Sequence, residues 1–188
     1  MQVTAYVGLG SNLGERARFL EGAVRGLAAL PRTRLVRDSP WFETEPVGGP
    51  PGQGAYLNGA AELSTALAPR ALLDALLALE RAAGRVRVPG VANGPRTLDL
   101  DLLFHGDARV DEPGLVVPHP RIEERLFVLR PLAALAPGLV LASGVAVGER
   151  LARLEALAAR AAREPRVSPV DGASVVAARR APAARSRP

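Results

Sequence analysis

The 188-residue sequence contains no cysteine and no lysine, and aromatic residues make up only 4% of it. Without cysteine there are no disulfide bonds and no thiolate chemistry, which suits a reducing compartment, and we expect a cytoplasmic protein. Without lysine, the phosphate-binding loop of the P-loop NTPases is excluded. The scarcity of aromatic residues argues against an RNA-binding module, which stacks bases on exposed rings.

Long apolar runs are also absent. No stretch of about 18 apolar residues occurs, and the start lacks the basic and apolar segments of a secretion signal. We therefore expect no membrane span, no membrane partner and no export by that route. The 48% hydrophobic content is enough for one packed core. We expect one domain over residues 1–163 and an Arg/Ala/Pro-rich, disordered tail over residues 164–188.

The net charge of +5 belongs to the C-terminal end of the chain. Residues 1–159 contain 17 Arg and 17 acidic residues, whereas residues 160–188 contain 7 Arg and 2 acidic residues. Because the body of the protein is neutral, we do not expect it to bind nucleic acid.

Turn residues and hydrophobic periodicity divide the first 104 residues into alternating elements. The predicted elements are a strand over 3–10, a helix over 14–30, a strand over 34–46, a loop over 48–54, a strand over 55–67, a helix over 69–83 and a strand over 95–104. This β-α-β-β-α-β order is typical of α+β ferredoxin-like folds, with a mainly antiparallel sheet and both helices on one face. A C-terminal helical extension is predicted over about 148–163.

Two aspartates interrupt the apolar strand PRTLDLDLLF, residues 95–104. Side chains at positions i and i+2 leave the same face of a strand, so Asp99 and Asp101 share one face with Thr97, and the intervening leucines share the other. The face could simply be solvated. However, Asp is depleted in strands, and two carboxylates about 7 Å apart repel unless a cation neutralises them. Mg²⁺ bound by carboxylates and substrate phosphates is a common solution.

Basic side chains flank this strand on both sides. Arg85, Arg87 and Arg96 border a loop that precedes it, and His119 and Arg125 follow it in VPHPRIEER. Together they could clamp a polyphosphate. The alternatives are a solvated basic loop and a structural histidine.

The segment GLGSNLG, residues 8–14, follows the first strand and opens the first helix. It could hold a phosphate, although its spacing is not that of the dinucleotide fingerprint. Alternatively, it is a tight turn in which Ser11 or Asn12 caps the helix.

The chain resembles the 6-hydroxymethyl-7,8-dihydropterin pyrophosphokinases in segments that follow one another in the family's order. These segments are GSNLG at 10–14, YLNGA at 56–60, GRVR at 84–87, GPRTLDLDLLF at 94–104 and VPHPR at 117–121. The resemblance covers about residues 3–160. It implies a folate-pathway enzyme of ferredoxin-like fold that transfers the diphosphate of ATP to the pterin hydroxymethyl group and releases AMP.

The resemblance also implies roles for individual residues. Asp99 and Asp101 would bind two Mg²⁺ ions, and Arg87 and Arg96 would act as catalytic residues that stabilise charge on the transferred group. The ATP-binding residues would be Glu80, Arg85, His119 and Arg125. The pterin-binding residues would be Thr44, Glu45, Pro46, Val47, Tyr56, Asn58 and Phe127. For Tyr56 and Phe127, the alternative is core packing. We expect a monomer with small-molecule partners only.

Some positions depart from the family pattern. Asn93 stands where many relatives carry a Trp, Gly114 and Val116 stand where some carry an Arg and a Thr, and Leu77 replaces a Gln. A metal-dependent phosphohydrolase or nuclease would also use a pair of aspartates. AMP release that requires a reduced pterin separates the two classes.

Overall fold

The computed structural model describes residues 1–86 and 94–163. Its elements are β1 (Val3–Ser11), α1 (Arg16–Ala28), β2 (Thr33–Asp38), β3 (Phe42–Thr44), β4 (Tyr56–Thr65), α2 (Pro69–Ala82), β5 (Asp99–His105), β6 (Val110–Glu112), β7 (Leu115–Val117), a 3-10 turn (Ile122–Glu124), α3 (Leu126–Leu135) and α4 (Val147–Arg163). No helix among these residues is long and apolar enough to cross a membrane.

The chain divides into two units, residues 1–156 and residues 157–188. Of the second unit the structure describes residues 157–163, the last turns of α4. The predicted disordered tail, residues 164–188, lies outside the described residues. The same is true of Arg87 and Asn93.

The main sheet has the strand order β2-β4-β1-β5, and each neighbouring pair is antiparallel. The short strand β3 also pairs with β4 in antiparallel fashion. Antiparallel pairing follows from the two split β-α-β connections, in which each helix joins strands that are not neighbours. The predicted α+β fold with a mainly antiparallel sheet is confirmed.

Both predicted helices cover one face of the sheet, as expected from their apolar stripes. Leu20 and Leu27 of α1 and Leu72 and Leu76 of α2 are fully buried against apolar residues of β1, β4 and β5. The helices also touch each other, because a Cβ atom at Gly26 would lie only 2.7 Å from a methyl group of Leu79. This packing gives the domain its first hydrophobic core.

The second face of the sheet is partly covered by α3 and the start of α4. Leu129 and Leu132 of α3 and Val147 of α4 pack with Leu103 and Phe104 of β5. A shift in the β1–β5 register at this point places two consecutive residues of β5, Leu103 and Phe104, in this second core. The α3 segment was not predicted to be a helix. Pro131 lies inside it, and its apolar content exceeds that of an amphipathic surface helix.

Three details differ from the sequence-based expectation. The strand predicted over 34–46 is two strands, because Pro40 lacks the N–H needed to continue the pairing with β4. Neither Ser11 nor Asn12 caps α1, since β1 extends to Ser11 and the residue preceding the helix is Glu15. Trp41 lies between β2 and β3 rather than in a strand. It packs against the first core.

Candidate active site

A cavity of about 690 Å³ lies within the first unit, beside the start of α3 and the ends of β1, β4 and β5. Its volume is in the range of small-molecule binding sites. Thirteen of the residues predicted for the site line it: Thr44, Glu45, Val47, Tyr56, Asn58, Glu80, Arg85, Arg96, Asp99, Asp101, His119, Arg125 and Phe127. Pro46 is not among the lining residues.

Two glycines of β1 form part of the cavity wall. Gly10 is paired with Asn58 of β4 on one side and Asp99 of β5 on the other, and Gly8 is paired with Asp101. A Cβ atom at Gly10 would lie 3.2 Å from Asn58 Oδ1. The missing side chains therefore leave space between the amide and the carboxylates. The sequence predicted these glycines only as parts of a turn or a phosphate loop.

Asp99 is held by two guanidinium groups. Arg85 Nη1 donates to Asp99 Oδ1 at 2.5 Å, and Arg96 Nη1 donates to Asp99 Oδ2 at 2.8 Å. Arg85 also pairs with Glu80, which is only 3% exposed. Glu80 Oε1 in turn accepts a hydrogen bond of 2.8 Å from the backbone N–H of Leu100. The buried carboxylate of α2 thus fixes both the Arg85 side chain and the edge of β5.

Asp101 has different surroundings. Within the described part of the chain, its carboxylate accepts no hydrogen bond and forms no ion pair. Burial, together with repulsion from Asp99, raises the pKa of Asp101 to about 6. Arg125 and Arg85 act in the opposite direction but do not cancel this shift. The site therefore contains a carboxylate whose ionised form would be stabilised by an additional cation.

His119 is oriented by the backbone. The backbone N–H of Arg121 donates to His119 Nδ1 at 3.2 Å, so the proton of the neutral ring resides on Nε2. Burial and the neighbouring Arg125 and Arg121 lower the pKa of His119. At neutral pH, the ring is therefore an uncharged hydrogen-bond donor in the cavity wall, not a cation.

The other side of the cavity is built for a flat ligand. Asn58 Nδ2 donates to Thr44 Oγ1 at 2.8 Å, which fixes the amide and leaves Oδ1 beside Gly10. Tyr56 is half-buried, and burial raises its pKa. The Arg125 guanidinium lies over the Phe127 ring, 5.4 Å from the ring centre. An amide, two aromatic rings and a hydroxyl suit a hydrogen-bonding heterocycle.

The cavity has further lining residues. Arg70 was not predicted for the site, and Arg121 belongs to the basic segment after β5 that was expected to help clamp a polyphosphate. Gly114 and Leu77, two of the positions that depart from the family pattern, also line the cavity. Asn12 was considered as a helix cap, but its side chain instead bonds the backbone of Arg96. No local pattern could have revealed this contact, because 84 residues separate its partners.

Comparison with known proteins agrees with this geometry. The sequence model of the family described as 7,8-dihydro-6-hydroxymethylpterin-pyrophosphokinase (HPPK) matches residues 6–137, more than half of the chain. This chain belongs to the HPPK family. The predicted activity, diphosphate transfer from ATP to a hydroxymethylpterin in folate biosynthesis, is thereby confirmed as that of its family.

Two curated HPPK relatives show how far the similarity extends. A 2-amino-4-hydroxy-6-hydroxymethyldihydropteridine pyrophosphokinase of Pseudomonas aeruginosa is 49% identical over 147 residues, which cover 78% of this chain and 89% of the relative. The enzyme of the same name from Bacillus subtilis is 43% identical over 133 residues, covering 71% of this chain and 78% of the relative.

Solved structures support the HPPK fold. The wild-type HPPK-DHPS of Plasmodium falciparum, crystallised with pterin and p-hydroxybenzoate, superposes with a TM-score of 0.65 at 12% identity. The match covers 84% of this chain but only 44% of that chain, so this chain spans less than half the length of the Plasmodium protein. At this level of identity, the likeness establishes the fold alone.

Proposed function

We propose that this HPPK binds ATP and 6-hydroxymethyl-7,8-dihydropterin side by side in the cavity and transfers the diphosphate of ATP to the pterin hydroxymethyl group, releasing AMP. One observation carries the proposal. The same cavity is lined by a cluster of acidic and basic side chains and by Tyr56, Asn58 and Phe127. A polyphosphate and a flat heterocycle would therefore meet within one site.

Asp99 and Asp101 are proposed to bind two Mg²⁺ ions. The fit rests on Asp101, whose half-buried carboxylate has no partner among the described residues and whose pKa is raised to about 6. No group of three or more His, Asp or Glu residues suited to a metal ion occurs in residues 1–86 and 94–163. A two-carboxylate site suits Mg²⁺, which keeps waters and binds substrate phosphates. When bound, the ions would neutralise the phosphates and polarise the transferred group.

The basic side chains are proposed to hold the triphosphate. Arg96 Nε donates to the carbonyl of Gly94 at 3.1 Å and Nη1 donates to Asp99, which fixes a guanidinium proposed to meet charge on the transferred group. Arg125 supplies a second cation, and His119 Nε2–H a neutral donor. Arg87, which lies outside the described residues, is proposed as the other catalytic arginine because of the resemblance.

Glu80 and Arg85 are proposed to position the side chains of the ATP site. Their ion pair is buried, and it places the Arg85 guanidinium against Asp99 at the cavity wall. Positioning is the main demand here, because phosphoryl-type transfer depends on alignment and charge stabilisation more than on a strong base. The residues of this site can supply both the alignment and the charge stabilisation.

The pterin is proposed to lie between Phe127, Tyr56 and the segment from Thr44 to Val47. Asn58 Oδ1 would accept a hydrogen bond from a ring N–H, because Nδ2 is already engaged by Thr44. Pro46, which does not line the cavity, would act only through the backbone of this segment.

The setting of the enzyme is proposed from the same observations. A monomer is proposed, and the absence of cysteine supports a cytoplasmic location. Small-molecule substrates are the proposed partners.

The test of the site is a titration with an ATP analogue whose α,β-bridging oxygen is replaced by carbon. Calorimetry with and without Mg²⁺ should show Mg²⁺-dependent binding to the wild type and to Asp74→Asn, an exposed acid of α2. In Asp101→Asn, the dependence on Mg²⁺ should be largely lost. Undiminished dependence in Asp101→Asn would overturn the metal assignment.

A further inference from the structure

Asn12 follows β1 and stands between two loops that border the cavity. Its side chain is buried, with only 7% of the residue exposed. One loop, residues 48–54, directly follows the proposed pterin segment. The other, residues 94–98, carries Arg96 into the proposed phosphate site. A buried amide costs free energy unless its donors and its acceptor form hydrogen bonds. In Asn12, both Oδ1 and Nδ2 form hydrogen bonds.

The bonds toward Arg96 fix the backbone of that residue. Asn12 Oδ1 accepts from the Arg96 N–H at 2.8 Å, and the Asn12 N–H donates to the Arg96 carbonyl at 3.1 Å. Two bonds between the same pair of residues define the orientation of the peptide as well as its distance. The direction in which the Arg96 side chain leaves the backbone is therefore set by Asn12.

The bonds toward the other loop come from Nδ2. It donates to Gln53 Oε1 at 3.2 Å and to the Gly54 carbonyl at 3.3 Å. Gln53 Nε2 continues the contact by donating to the carbonyls of Gly48 and Pro50, each at 3.2 Å. This Gly- and Pro-rich loop has no regular secondary structure, so these bonds are a main constraint on its position.

We propose that Asn12 is a positioning residue that links the pterin-side loop to Arg96, so that each substrate raises the affinity of the enzyme for the other. This inference rests on the proposed function. A substrate that orders one loop also orders the Asn12 amide, and the second substrate then meets a loop that is already in place. Such coupling is reciprocal by thermodynamic necessity.

The experiment measures the coupling directly. The same ATP analogue is titrated with Mg²⁺ into the enzyme in the absence and in the presence of saturating 6-hydroxymethyl-7,8-dihydropterin, and the ratio of the two dissociation constants is the coupling factor. We expect a factor clearly above one for the wild type. In Asn12→Ala it should fall about tenfold or approach one, the change equivalent to one or two ordinary hydrogen bonds.

A second variant and a control separate coupling from loss of stability. Gln53→Ala removes one of the two bonds from Asn12 Nδ2 and the two bonds that Gln53 makes within its own loop, but leaves the bonds to Arg96 in place. It should lower the coupling factor by a smaller amount, about two- to fivefold. Ser39→Ala removes an equally buried hydrogen bond, from the Ala60 N–H, outside the cavity. It should reduce stability but leave the coupling factor unchanged.

Several outcomes would overturn the inference. The first is a coupling factor of one in the wild type, and the second is an unchanged coupling factor in Asn12→Ala. If Asn12→Ala does not fold, an unchanged coupling factor in Gln53→Ala would have the same meaning. The last is a fall of the coupling factor in Ser39→Ala that equals the fall in Asn12→Ala. Binding of both substrates without coupling would refute only the role of Asn12. Failure of the wild type to bind the pterin at all would instead refute the proposed function.

Discussion

Asp99 and Asp101 project from the same face of β5, but among the described residues only Asp99 is ion-paired, through Arg85 and Arg96. Asp101 is half-buried beside it, and its pKa is raised to about 6. The two carboxylates that the sequence presents as equivalent therefore have different energetic roles in the free protein. Asp99 organises the basic side chains, and Asp101 keeps a site that favours an added cation.

This difference predicts opposite effects on stability without Mg²⁺. Asp99→Asn removes the carboxylate that pairs with Arg96 and one of the two that pair with Arg85, and should lower the free energy of unfolding by about 1–3 kcal/mol. Asp101→Asn removes an unfavourable buried charge and should leave stability at pH 7.5 equal or higher. Urea unfolding of both variants decides the matter. Equal losses would show that both carboxylates contribute alike to the fold.

The raised pKa of Asp101 predicts a pH dependence with a definite sign. Between its unfolded value of 3.8 and about 6, the folded state binds the proton more tightly than the unfolded state. The contribution of the Asp101 carboxyl group to stability therefore falls as pH rises through this window and is constant above it. Relative to the wild type, Asp101→Asn should gain about 1–3 kcal/mol of unfolding free energy between pH 4 and pH 6.5.

Thermal or urea unfolding across pH 4–8 in the absence of Mg²⁺ measures this gain. Asp74→Asn serves as the exposed control and should run parallel to the wild type. If the curve of Asp101→Asn also runs parallel, the carboxylate titrates normally and the argument for a cation at this position fails.

Glu80 is predicted to be essential for the fold because of its buried contacts. Glu80→Leu removes the acceptor of the Leu100 N–H and one of the two carboxylates that pair with Arg85, and should lower the free energy of unfolding by about 3–5 kcal/mol. Glu80→Gln keeps an acceptor for the N–H and should cost less, about 1–2 kcal/mol. Affinity for the ATP analogue should fall in both. A Leu variant as stable as the wild type would contradict the role assigned to this carboxylate.

Thr44 is predicted to act on pterin binding through Asn58. Thr44→Val removes the acceptor of Asn58 Nδ2, so the amide can rotate, and the dissociation constant for the pterin should rise about five- to tenfold. Thr44→Ser keeps the hydroxyl and should bind the pterin normally. Affinity for the ATP analogue should be unchanged in both. Indistinguishable Val and Ser variants would mean that this hydrogen bond does not orient the amide.

The alternation of leucine and aspartate in residues 98–102 was enough to predict which face of β5 carries the acids. Alternation is a local property of the strand, so the sequence reports it directly. The apolar stripe of α2 was equally legible. Its Glu80 was assigned to ATP by resemblance, and only the packing of α2 against β5 revealed its bond to the Leu100 N–H.

Other features depend on contacts that no local pattern contains. Asn12 follows a glycine-containing strand and precedes a helix, which favours a cap, but partners 41 to 84 residues away take its amide instead. Gly8 and Gly10 belong to the cavity wall because of the strands that pair with β1 on either side. The register of three strands, not the motif GLGSNLG, gives them this role.

The most direct test of the account is the identity of the nucleotide product. Phosphorus NMR of the enzyme with ATP, Mg²⁺ and 6-hydroxymethyl-7,8-dihydropterin should show AMP and the pterin diphosphate forming in equal amounts, and no AMP when the pterin is omitted. Formation of ADP or free phosphate in place of AMP, or AMP formation that does not require the pterin, would contradict it.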